Sequence, residues 1–207
     1  MLAIAVLVVI SNQDRLSPRV RRAIPARPLK RLVAFLFYNG AAGGLVWAML
    51  LTVLTYIMLM LFPSSRAPAY NSRPGYAFSA ELYYGAFYLY VFAYALTGLA
   101  IQRRFFARRP AKLAGLIAVF IPIALMIVPL IIRFFFNRLT WGWVEGEQLG
   151  NLFNLMGHAD DGDATSNHFF CALVWLVIAV AFNLKWFTQQ GRRFQPLDHA
   201  ESISPSL

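Results

Sequence analysis

Hydrophobic positions along the chain gather into a few long runs, separated by short stretches that hold almost all the charge. Residues 32–62 contain no Asp, Glu, Lys, Arg or His, residues 82–101 and 113–132 are equally free of charge, and residues 169–184 form a shorter run extendable to Trp186. A helix advances about 1.5 Å per residue through a hydrocarbon layer about 30 Å thick, so about 20 apolar residues make one crossing. The pattern predicts an all-α, polytopic integral membrane protein with four full spans. The first run is longer than a straight crossing requires. Either it is strongly tilted, or its beginning, around residues 32–40, lies in the interface before the chain turns inward.

The first ten residues are apolar but too short to cross. A signal peptide places cations before its apolar run, whereas here they follow it. Two readings remain: a foot on the membrane surface or, favoured over it, the inner end of a crossing helix whose earlier part is missing from the chain. Residues 11–31 combine Pro18, Pro25 and Pro28 with seven cations, and proline forbids one long helix there. A short surface helix between Pro18 and Pro25, with Val20 and Ile24 toward lipid or a partner, is the most the segment allows. It reads as an electrostatic anchor and topology signal in preference to a docking surface.

Residues 133–167 are more than a connecting loop. Leu149, Leu152, Phe153 and Met156 recur at helical spacing among Glu147, Gln148, Gly150, Asn151 and Asn154, which predicts an amphipathic helix ended by Gly157. Phe134, Phe135, Phe136, Trp141 and Trp143 precede it, aromatic residues of the kind found at headgroup level. The segment is expected to lie in, or dip into, the outer interface. Pro122 and Pro129, inside the third span, each remove a backbone donor and predict kinks.

Composition strengthens the membrane reading. Of 207 residues, 59% are hydrophobic and 14% charged, against roughly 25% charged in soluble domains. The net charge of +10 would suggest a nucleic-acid partner in a soluble protein; here it fits loops held near anionic lipid, and no nucleic acid is expected. Arg15, Arg19, Arg21, Arg22, Arg27, Lys30 and Arg31, then Arg103, Arg104, Arg108, Arg109 and Lys112, then Lys185, Arg192 and Arg193 share one side of the predicted bundle. Only Arg66, Arg73, Arg133 and Arg138 fall on the other side, with Glu81, Glu145, Glu147, Asp160, Asp161 and Asp163. Because cations are retained inside during insertion, residues 11–31, residues 102–112 and the 185–207 tail are expected in the cytoplasm, and the protein in the plasma (inner) membrane. One cysteine, Cys171, excludes a disulfide within the chain and a multi-thiolate metal site made by it alone.

Candidate chemistry is sparse. His158, Asp160, Asp161, Asp163 and His168 cluster within eleven residues, but the twelfth-position Glu of a calcium loop is missing, so a solvated acidic turn is favoured over a metal site. The four predicted spans hold neither His nor an ionisable pair, which argues against a bis-histidine haem carrier, a carboxylate proton relay or an intramembrane zinc protease. No nucleophile motif is recognisable; no catalytic residue, metal or cofactor is expected, and the chain is not read as an enzyme. Tyr83, Phe87, Tyr90 and Tyr94 share one helical face, a packing surface in preference to a pathway for amphipathic cargo. Gly40, Gly43 and Gly44 permit close helix approach, as an internal contact or the seam of a homo- or hetero-oligomer.

The order of parts resembles the later portion of an ABC type-2 transporter permease domain. Residues 1–10 correspond to the end of the second of six spans, residues 11–31 to the cytoplasmic coupling segment, and residues 32–62, 82–101 and 113–132 to the next three spans. Residues 133–157 correspond to partly re-entrant outer helices, and residues 169–184 to the last span. The run RRAIPARPLKRLVAFLFYNGAAGGLVW is similar to the basic-then-glycine entry of some bacterial members. The resemblance implies a permease-like subunit that moves a substrate by alternating access, with ATP bound by a separate ATPase subunit docked near Arg19, Arg21 and Arg22. A GxxxxGK[ST] phosphate loop is absent from the sequence, in keeping with that division of labour. The alternative is a non-transporting membrane scaffold or anchor that stabilises a larger complex through its glycine face and outer helix.

Overall fold

The computed structural model describes residues 2–10, 20, 22–61, 74–136, 148–157 and 162–195, and its described elements are all α-helical. They are α1 (Leu2–Ile10), α2 (Pro28–Tyr38), α3 (Gly40–Leu61), α4 (Pro74–Phe105), α5 (Lys112–Phe136), α6 (Leu152–Gly157) and α7 (Gly162–Arg193). Four of them, α3, α4, α5 and α7, contain stretches long and apolar enough to cross a membrane, so the chain is a multi-span helical membrane protein. Residues 11–19, with Arg19, and Arg21 lie outside the described residues, as do Trp141, Trp143, His158, Asp160 and Asp161.

The long first run resolves into two helices. Pro28 opens α2 in the first turn, where a missing N–H costs nothing, behind an extended Arg27. The helix ends at Asn39, and Gly40 takes a positive φ of 54° that starts α3 in a new direction. The return is tight: a Cβ on Gly43 would collide with the carbonyl oxygen of Phe35, and one on Gly44 would stand 2.8 Å from the Val9 side chain of α1. The three glycines thus serve one turn and two contacts within the chain. Along α3, the hydroxyls of Thr52 and Thr55 donate to the carbonyls of Ala48 and Leu51, which satisfies them inside an apolar helix.

α4 is the axis of the bundle. It packs along α7 over most of its length and along α5 through the short turn at 106–111. Gly98 sets the α4–α5 spacing: a Cβ there would lie 2.7 Å from the Ala114 carbonyl oxygen and 3.0 Å from the Ala118 nitrogen, both backbone atoms. Gln102 closes the turn by donating to the carbonyls of Phe106 and Arg109. The N-terminal α1 packs one face on the bundle, with Val6 and Ile10 fully buried among Leu45, Phe92, Leu96 and Ala118 and Ile4 and Val8 facing outward. α5 runs as one helix through Pro122 and Pro129.

Charge separates to the two ends. α4 and α7 run parallel, as their cross-contacts show below, so Arg103 and Arg104 end one helix where Arg192 and Arg193 end the other. The α4–α5 turn, with Arg108, Arg109 and Lys112, lies at this basic end, and so does α2, whose Phe35 meets Phe194 edge-on at 5.6 Å. The two described carboxylates, Glu81 and Asp163, stand at the opposite ends of α4 and α7.

Replacing Gly98 by Ala forces α4 and α5 apart, because neither contacting backbone can yield; an overpacking loss of about 1–3 kcal/mol is expected. In α7, Gly191 has open space where a Cβ would stand, so Gly191→Ala is expected to stay within about 0.5 kcal/mol of the parent or to stabilise it. Detergent-solubilised unfolding curves of the two variants measure the contrast.

Candidate functional site

The site begins with Gly150, whose φ of +92° is a conformation that side chains rarely adopt. Its backbone is held at both groups by one helix. The Gly150 N–H donates to the Tyr90 hydroxyl at 2.9 Å, and the Tyr94 hydroxyl donates to the Gly150 carbonyl at 2.6 Å. One helical turn separates the two tyrosines, which stack with an interplanar angle of 15°. Trp175 of α7 closes the pocket, lying 3.2 Å from where a Gly150 Cβ would be. Positive φ and close aromatic cover together require glycine here.

A second layer extends the grip. The Tyr90 hydroxyl lies 3.1 Å from Nδ1 of His168, and Nε2 of His168 lies 3.0 Å from Oδ1 of Asn154. That same Oδ1 accepts the Gln148 N–H, so Nε2 must be the protonated nitrogen, and in the neutral ring Nδ1 accepts from Tyr90. Every bond then points one way: Gly150 N–H to Tyr90 O–H to His168 Nδ1, and His168 Nε2–H to Asn154. His168, Tyr90 and Leu155 are fully buried, and Asn151 caps the short helix by accepting the Phe153 N–H at its side-chain oxygen. Cys171, one turn beyond His168, is a free thiol within reach of the Tyr90 hydroxyl.

The arrangement clamps residues 148–157 into the end of the bundle that carries Glu81 and Asp163. Among the described residues it leaves no buried side-chain donor or acceptor of this group without a partner, and an unmet polar group in hydrocarbon costs several kcal/mol.

Two further contacts join α4 to α7 toward the basic end. Trp175 Nε1 donates to Thr97 Oγ1 at 3.1 Å. Beyond it, the Arg103 guanidinium donates to Oδ1 of Asn183 and to the Leu99 carbonyl and lies 4.5 Å above the Trp186 ring. The Asn183 amide nitrogen, fully buried, donates to the carbonyls of Leu96 and Ala179. The pairs 90–168, 97–175 and 103–183 keep a nearly constant offset of 78 to 80 residues, which is the signature of a parallel seam.

The tyrosine face expected from periodicity is this seam: Tyr90 and Tyr94 hold the clamp, while Tyr83 and Phe87 pack at its margin. Two expectations are corrected. His168 is no part of a solvated turn and does not lie outside the spans: α7 starts at Gly162 and carries it, buried, inside the membrane-competent stretch. Asp163 is exposed in the first turn of α7, where a carboxylate suits the helix dipole. The amphipathic helix is turned over: among the described residues 148–157 the helix is Leu152–Gly157, with Leu155 and the preceding Asn151 buried, and Leu149, Phe153 and Met156 facing outward. The polar grip of Tyr90 and Tyr94 selects the Gly150–Asn151 edge for the interior, leaving the apolar stripe to lipid. Arg22 is exposed. Among the described residues, no three His, Cys, Asp or Glu side chains gather as metal ligands. No protein-family model, curated protein or solved structure matches the chain.

Tyr90→Phe strands the Gly150 N–H and His168 Nδ1 and is expected to cost about 1–3 kcal/mol. A double-mutant cycle with His168→Phe should return a coupling of about 0.6–1.7 kcal/mol. Amide exchange across residues 148–157 should accelerate in both single variants while that of α5 stays unchanged; equal rates would mean the clamp does not hold the segment.

Proposed function

We propose that the chain is the membrane-embedded, permease-like subunit of an ATP-driven transporter of the ABC type-2 kind, moving its substrate by alternating access. The observation that supports this reading is the clamped segment. Between the third and last long spans the chain dips back, with Gly150 and Leu155 held inside the bundle, as partly re-entrant outer helices do ahead of the last span in that family. The break at Asn39 adds a second likeness, a basic entry helix followed by a glycine-led span.

On this reading the basic end is cytoplasmic and a separate ATPase docks on residues 11–31. The clamp couples the re-entrant segment to α4 and α7, so a displacement of α4 against α7 at the basic end is felt at the clamp. The same three-level stapling also favours a second reading, a rigid scaffold that anchors a larger complex without transporting.

Co-expression with a candidate ABC-type ATPase subunit separates the two. Co-purification that is lost when Arg19, Arg21 and Arg22 are replaced by Glu supports the permease; assembly indifferent to the triple change leaves the scaffold. For orientation, Ala107→Cys in a Cys171→Ala background should react with an impermeant maleimide in inverted vesicles and stay unlabelled in intact cells.

A further inference from the structure

At the basic end, a cleft of about 330 Å³ opens between α2 and the end of α7, lined by Pro28, Arg31, Leu32, Phe35, Gly191 and Phe194. Its walls are apolar apart from Arg31. That guanidinium donates through Nη2 to the Ala26 carbonyl at 2.8 Å, which fixes its position, while its Nε is out of solvent and has no acceptor among the described residues. A charged donor in that state calls for an anionic acceptor, since a buried donor left unmet is costly. The surroundings agree. Arg27 just ahead of α2 and Lys30 within it neighbour Arg31 in the chain, and Arg192 and Arg193 lie between the lining residues Gly191 and Phe194. Both described carboxylates are at the other end of the bundle.

The apolar lining decides which anion. A free phosphate gains nothing from Leu32, Phe35 and Phe194, but a phospholipid places its phosphate on the guanidinium and an acyl chain along those side chains. α2 itself carries the marks of the membrane boundary: Leu29 is 79% exposed, Leu32 64% and Phe37 59%, on a helix that also bears Lys30 and Arg31. We propose that this cleft binds one anionic phospholipid, its headgroup phosphate held by Arg31 and the cations around it. The site stands independently of the transporter reading.

Native mass spectrometry of the purified full chain in neutral detergent tests it, with phosphatidylglycerol and phosphatidylcholine of the same acyl chains as probes. A single phosphatidylglycerol should be retained at least about tenfold more tightly than phosphatidylcholine. Arg31→Gln should weaken it about tenfold, whereas Arg108→Gln, a cation of the same end outside the lining, should change it less than about twofold. Gly191→Leu fills the cleft from a position with open space and should abolish the adduct even if Arg31→Gln proves unstable. Equal retention of the two lipids, equal effects of Arg31→Gln and Arg108→Gln, or an adduct unaffected by Gly191→Leu would overturn the proposal. So would displacement of the lipid by equimolar inorganic phosphate, which would make the ligand the free anion.

Discussion

Lipid removes the force that folds soluble bundles. A leucine gains nothing by leaving hydrocarbon for the face of another helix, so helices in a bilayer are held by close packing and by polar groups that have nowhere else to turn. In this chain that constraint falls on the α4–α7 pair. Contacts at three levels tie the two helices: Tyr90 with His168, Thr97 with Trp175, and Leu96 and Arg103 with Asn183 and Trp186. Each satisfies groups that would be stranded if the helices parted. α5 joins this pair where Gly98 meets the Ala114 and Ala118 backbone, and α3 meets α1 where Gly44 faces the Val9 side chain, close approach taking the place of hydrogen bonds.

The clamp on Gly150 follows from the same requirement. An irregular segment at membrane depth is tolerated only where protein meets its backbone groups, and two hydroxyls one turn apart on a straight helix are spaced to take the N–H and C=O of one residue. The turn must then adopt φ of +92° under a tryptophan ring, which leaves glycine as the residue that fits. Sequence, backbone conformation and placement are here one argument, and the outward apolar stripe of Leu149, Phe153 and Met156 is its remainder.

Much of the fold is legible in the sequence because lipid writes itself as the absence of charge, and the four spans follow from that absence. Their ends are less so. The break inside residues 32–62 leaves a trace only as excess length, which allows a tilted span as well as an interfacial start at residues 32–40; the turn dipeptide Asn39–Gly40 stands at the break. An apolar run counted from Phe169 leaves His168 in solvent, whereas α7 begins at Gly162 and absorbs a polar first turn and a half before its greasy stretch. The tyrosine face was visible as periodicity, but its partners were not, since a hydrogen bond between residues 78 apart leaves no local trace. Asn183 left one: an amide in an otherwise apolar stretch marks a polar contact within the bundle, and a search restricted to ionisable groups passes over it.

The two ends of the seam use different chemistry, and that difference has a consequence. At the carboxylate end the contacts are neutral and directional, hydroxyl to imidazole to amide, so their geometry is narrow and a small displacement breaks several at once. At the basic end Arg103 spreads a delocalised charge over a carbonyl, an amide and an aromatic face, an arrangement that tolerates tilt because cation–π attraction is broad. A lever anchored this way pivots at Arg103 and releases at Tyr90. The first large motion open to α4 against α7 therefore loosens the re-entrant segment before it disturbs the end where the cations lie.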